Sequence, residues 1–363
     1  MTDPSGLIGP PPRPPKERTE DISYHPWLAA SAPERILVIR LHAVGDVAIT
    51  LPACAALRES LPGARIDFLT ASSVAELPET LSIFDKVHRH PVASGRTMRG
   101  YHAFRTGSAL SKVRYQVVID LQRNWVTRSI RRMCMPDSWS EFDRFSPFPA
   151  GERVLDTFLA AGFEGLSPFY AVKVNQNLIL RTRQLMMSLG WDGVAPLICL
   201  NPAGLWKTRN WPLSNYAELA ALWLRNEPAC FVLIGNERIS AAGKLLSESI
   251  PGGVINLIEK TSLAEAFAVV QQLSFMISED SGLMHMAWVS GVPTVALFGS
   301  SRHDWSSPLG PRSRTFHSGD LACGACMLPE CQFGDVRCLS RHTPESVLRA
   351  IEEIRRMPSE PGL

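Results

Sequence analysis

Short apolar runs of strand length recur along this chain at helix-length intervals, and the series runs twice. The first set lies at 35–40, 66–69 and 117–121, with a helical stretch from about 47 to 60 between the first two. The second begins after Gly193, with runs at 197–201, 230–234, 254–257, 275–278 and 294–298. Segments of helical character lie between these, at 215–226 and 263–273. Strands joined by helix-length crossovers pair in parallel, because a tight turn cannot bring the chain back in the same direction. Two series with a break near 170–195 predict two Rossmann-like α/β domains facing each other across a cleft, and 363 residues suffice for two cores.

The boundaries follow. Residues 1–32 are polar and Pro-rich, without the apolar stretch of a signal peptide, and read as a disordered leader on a cytoplasmic protein. Residues 33–180 form the N-terminal domain and 190–342 the C-terminal one, with a last helix in 343–357 opened by Thr343-Pro344. Ser94 to Arg105 is basic and Gly-containing, more loop than element. A formal net charge of +2 gives no electrostatic case for nucleic acid, and no apolar run approaches a membrane span.

The polar turn Ser278-Glu279-Asp280-Ser281-Gly282-Leu283-Met284-His285 carries the clearest chemistry. It falls at the carboxyl end of a strand, where open α/β sheets bind ligands. Ser281 and Gly282 would open a helix whose N-terminal amides favour phosphate. Asp280 and His285 flank that spot, although an ordinary core histidine between Met284 and Met286 is the competing reading. Asp46, at the end of the loop 41–46, is either a catalytic carboxylate or a helix cap. Eight cysteines divide into four scattered ones and a cluster, Cys323-x2-Cys326-x4-Cys331-x6-Cys338. That spacing can close four thiolates around a structural zinc or iron; two disulfides or reduced thiols in a small lobe are the alternatives.

These markers together resemble glycosyltransferase family 9, the ADP-heptose:lipopolysaccharide heptosyltransferases. The resemblance runs from about Arg35 to Ile354. It rests on Arg35-Ile-Leu-Val-Ile-Arg40 followed by Gly45-Asp46, on Asp120-Leu121-Gln122, on Asn201-Pro-Ala-Gly204 followed by Asn210-Trp211-Pro212, and on the turn Asp280 to His285. The Cys-rich tail with Thr343-Pro344 belongs to the same pattern. It implies a GT-B fold and an inverting transfer of a sugar, heptose from ADP-heptose, onto lipopolysaccharide core at the inner face of the inner membrane. Asp46 matches the position proposed as general base. The absence of an Asp-x-Asp motif fits a reaction needing no cofactor, so cations must neutralise the departing diphosphate. Lys207 and Arg209 are the candidates, Arg209 standing where many members have Lys. Gly45, Asp280, Ser281, Gly282 and His285 match donor-binding positions, with Glu237 suited to a ribose diol and Thr261 and Ser262 to the adenine side. Acceptors in the family are acidic or phosphorylated, which nominates Arg40, Arg123 and Arg128. Another nucleotide sugar, a protein acceptor, an epimerase and a non-catalytic sugar-nucleotide binder are the rival functions.

Overall fold

The computed structural model describes residues 22–168 and 170–357. The first sheet contains β1 (Tyr24–His25), β2 (Arg35–Ile39), β3 (Arg65–Ala71), β4 (Lys86–His90), β5 (Val117–Asp120) and β6 (Ser138–Glu141), in the order β1-β6-β5-β2-β3-β4. The second contains β7 (Leu197–Asn201), β8 (Cys230–Leu233), β9 (Val254–Asn256), β10 (Phe275–Glu279), β11 (Thr294–Leu297) and β12 (Ser313–Phe316), in the order β12-β11-β10-β7-β8-β9. Among these strands only β1 runs antiparallel to its neighbour. The central strands are buried on both faces, which is why β2 and β7 read as unbroken apolar runs.

Each sheet reverses its direction of growth once, between β2 and β5 in the first and between β7 and β10 in the second. The loops leaving those strands splay apart at the reversal and leave a crevice. The two crevices face each other. The helix Val44–Ser60, which follows β2, packs against the helix Gly282–Val289, which follows β10. One apolar core runs through the contact, joining Ile36, Val38 and Val47 of the first domain to Leu197, Met276 and Met286 of the second. This is the expected GT-B arrangement.

Three expectations are corrected. Residues 1–21 of the supposed leader lie outside the described residues, but 22–32 are not loose. Tyr24 and His25 pair with Ser140 and Trp139, and the Trp27 N–H donates to the Ala161 carbonyl at 2.9 Å. The basic segment after Ser94 is a helix, Arg96–Ser111. The helix after β2 begins at Val44, so Asp46 lies within its first turn. The last helix, Pro344–Arg356, forms where Thr343-Pro344 predicts it and packs on the C-terminal domain, where Val347, Ile351 and Ile354 join the core of Trp211 and Trp223.

Candidate active site

The facing crevices enclose a cavity of about 1250 Å³, roomy for a nucleotide sugar. Three helix starts line it: Val44, Gly45 and Asp46; Thr261, Ser262 and Leu263; and Ser281, Gly282 and Leu283. Their positive dipole ends make the cavity suited to anionic groups.

Glycines set how closely the first and third of these approach. A Cβ on Gly45 would stand 2.7 Å from His285 Cδ2, and one on Gly282 would stand 3.0 Å from Val44 Cγ1. Asp46 serves as cap and as cleft carboxylate at once. Its Oδ2 accepts the Ala43 N–H at 3.0 Å and pairs with Arg40 Nη2 at 2.9 Å, while the side chain keeps partial contact with solvent. Burial alone would raise its pKa; the Arg40 guanidinium, the Ala43 N–H and His285 outweigh that and hold the carboxyl below its ordinary value. Arg40 also donates to the Leu121 carbonyl across the first switch point.

On the opposite wall the second switch point is organised by a residue the sequence reading passed over, Glu279. Buried at the end of β10, its carboxylate accepts from Gly204 N (2.6 Å), Trp211 N (2.6 Å), Asn210 Nδ2 (2.8 Å) and the Tyr216 hydroxyl (3.3 Å). Burial pushes its pKa up to about 7 against the pull of those donors. Glu279 thereby ties the loop 202–211 to the Asp280 turn. Asn201 completes the tie, donating through Nδ2 to Ser281 Oγ at 2.8 Å, and Ser281 caps its helix by accepting from Met284 N.

Arg209 rides on that loop. It pairs with Asp280 at 3.2 Å and lies 4.0 Å over the Trp206 ring, and among the described residues its buried Nε–H finds no acceptor. Burial lowers its pKa and Asp280 opposes the shift, so it remains a cation. Lys207 also lines the cavity but is exposed. His285 is buried and accepts the Trp288 indole N–H at 3.0 Å through Nδ1, which leaves its proton on Nε2. Burial lowers its pKa, with Asp280 and Asp46 opposing. It is thus both a core histidine and a cavity-lining donor.

Other placements differ from expectation. Glu237 is exposed and outside the cavity lining, which its neighbours Asn236 and Arg238 join instead; a single 3-10 turn capped by Asn236 directs it away. Arg123 and Arg128 do not line the cavity: both approach the buried Glu141, at 3.5 and 2.8 Å, together with Arg131. Arg153 stands there instead. It lies 5.2 Å from the Phe142 ring, as Arg40 does, and donates to the Trp305 carbonyl of the other domain at 3.4 Å. A buried arginine on an amphipathic helix leaves no mark in the sequence that distinguishes it from a surface one. Cys323, Cys326, Cys331 and Cys338 converge on one cavity of about 20 Å³. Burial and the neighbouring thiols push Cys338 up to about 11. Among the described residues, however, no three His, Cys, Asp or Glu side chains stand in a metal-holding arrangement.

Fold and cavity define a two-domain GT-B protein with a cleft lined by three helix N-termini. The profile of glycosyltransferase family 9 (heptosyltransferase) matches residues 163–337. Lipopolysaccharide heptosyltransferase 1 of Pseudomonas aeruginosa is 25% identical, the match covering 89% of this chain and 99% of that protein. Two solved structures, each 20% identical, share the fold. One is the family 9 glycosyltransferase of Veillonella parvula, with a TM-score of 0.77 over 88% of this chain and 97% of that one. The other is an Escherichia coli heptosyltransferase with ADP-2-deoxy-2-fluoro heptose, with a TM-score of 0.61 over 88% and 99%. Residues 163–337 thus carry the likeness to glycosyltransferase family 9, and the chain is a glycosyltransferase.

Proposed function

We propose that this enzyme moves heptose from ADP-heptose onto an acidic or phosphorylated lipopolysaccharide-core acceptor, with inversion and without a catalytic metal ion. The observation that carries the reading is the single cavity shared by Asp46 on one wall and the Arg209–Asp280 pair on the other. The names of the similar proteins support the donor and the acceptor class.

In this mechanism the acceptor hydroxyl attacks the anomeric carbon from the Asp46 side as the bond to the diphosphate oxygen breaks. The hydroxyl proton passes to Asp46, and ADP leaves carrying the electron pair. The ionised carboxylate is ready to accept, and proton transfer becomes favourable as the new C–O bond drains charge from the hydroxyl. Charge growing on the diphosphate meets Arg209 and the helix start at Ser281 and Gly282. Asp280 aims the guanidinium, and Thr261 and Ser262 receive the nucleoside end. Arg40 and Arg153 give the Asp46 wall a positive field for an acidic acceptor.

Incubation with ADP-heptose and a delipidated core oligosaccharide, following released ADP, tests the reading. Release should persist in EDTA; loss on brief chelation with recovery on Mg²⁺ would sink the metal-free step. No turnover with ADP-heptose beside turnover with another sugar nucleotide would replace the donor. A structural metal at the four cysteines is a separate proposal, supported by their convergence on one cavity. Elemental analysis showing neither zinc nor iron in protein purified without chelator would remove it.

A further inference from the structure

One face of the N-terminal domain is unused by the mechanism. From residue 91 to residue 119 the chain carries Arg96, Arg99, Arg105, Lys112 and Arg114 and not a single Asp or Glu. The helix Arg96–Ser111 occupies the middle of this stretch. It packs inward through Ala103, Gly107 and Leu110, close enough to its neighbour that a Cβ on Gly107 would stand 2.7 Å from Met133 Sδ. Its outer side presents Met98, Tyr101 and Phe104, which are 47%, 51% and 63% exposed. Positions three apart fall on one side of a helix, so these three form a stripe. Trp125, 43% exposed, extends it and lines a surface depression with Arg96 and Arg99.

Scattered exposed apolar residues need no explanation, but a continuous stripe of large ones does. A stripe flanked by cations, with no anion among them, is the pattern of a helix lying in the interface of a negatively charged bilayer. Aromatic rings settle at headgroup depth, and arginines meet phosphates just outside it. Arg105 lies 5.8 Å over the Tyr101 ring, holding charge and aromatic together at one depth. Burial and Arg40 lower the pKa of His42, in the loop that leads to Asp46, and the charge of Arg99 adds to them, so the face lies within electrostatic reach of that loop.

We propose that this face docks on an anionic phospholipid bilayer and presents the Asp46 wall to an acceptor anchored in the same membrane. The proposal rests on the glycolipid-acceptor reading above. Flotation of the full chain with phosphatidylglycerol-containing vesicles, against phosphatidylcholine vesicles, tests it. Binding should require the anionic lipid. Joint Tyr101→Ser and Phe104→Ser replacement should weaken it by about tenfold or more, from loss of two buried aromatics, and Arg105→Ala by about fivefold. None of these changes should alter turnover with ADP-heptose and a delipidated, water-soluble acceptor. Equal binding to phosphatidylcholine, or unchanged binding by the double variant, would overturn the docking face. No turnover on any heptose acceptor beside intact, variant-sensitive vesicle binding would instead remove the acceptor reading and leave the docking face in place.

Discussion

At the switch point of the first sheet, Asp46 is held by one guanidinium and one backbone N–H and keeps contact with solvent. At the switch point of the second, Glu279 is closed off from water and accepts from four donors that fix a whole loop. The two walls of one cavity thus solve different problems. A group that must take a proton and release it to water has to stay reachable. A group that presents Arg209 to a diphosphate has to hold still, because preorganised charge stabilises a transition state without reorganising. On the proposed mechanism, the comparison teaches that the donor wall is built for rigidity and the acceptor wall for access.

The largest effect should come from the accessible wall. Asn at position 46 can still cap the helix through its side-chain oxygen, so Asp46→Asn should fold and bind donor normally while turnover falls by about 10²–10⁴. Near-normal turnover at saturating acceptor would break the comparison at its first term. On the rigid wall, Arg209→Ala should lower kcat by roughly 10²–10³ and donor affinity much less, as expected of a charge matched to the transition state. Arg209→Lys should keep part of the rate, and the exposed Lys207 should tolerate Ala within about threefold. Equal, mild losses at both positions would transfer the diphosphate to the helix start alone. The third term is stability. Glu279→Ala strands the Gly204 and Trp211 N–H groups and should cost about 3 kcal/mol in denaturant unfolding; Glu279→Gln should cost less.

Titration sharpens the third term. A carboxyl whose pKa rises from 4.5 to about 7 on folding is bound more tightly to its proton in the native state. The unfolded chain releases that proton first, so the contribution of Glu279 to stability declines as pH climbs through this window. Wild-type stability measured relative to Glu279→Gln should therefore fall between pH 4.5 and 7, and a difference that rises instead would show the four donors overcoming burial.

The central strands were legible because burial on both faces leaves an apolar run that little else explains, and the last helix because Thr343-Pro344 marks its start. What escaped the sequence was whatever depends on partners distant along the chain. Strand β4, Lys-Val-His-Arg-His, lies at a sheet edge and need not be apolar. The helix Arg96–Ser111 hides behind Gly100 and Gly107, and at Gly107 the lack of a side chain is a packing requirement and not a turn. Asp46, Asp280 and Arg209 stood out through their motifs, whereas Glu279 and Arg153 did not. Their importance comes from burial and from contacts 63–152 residues away, which no local pattern records.

The glycine contact between Gly45 and Gly282 has a mechanical meaning. A Cβ built on either glycine would stand 3.4–3.5 Å from the other's backbone, so the walls have little room to come nearer here and any closure of the cleft would pivot near this point. A rotation that narrowed the far end would have a lever arm that grows with distance from that contact. Atoms beside the fulcrum, Asp46 and the start of the Gly282–Val289 helix, therefore keep their spacing while the periphery swings. The reacting centre sits where such a hinge displaces it least.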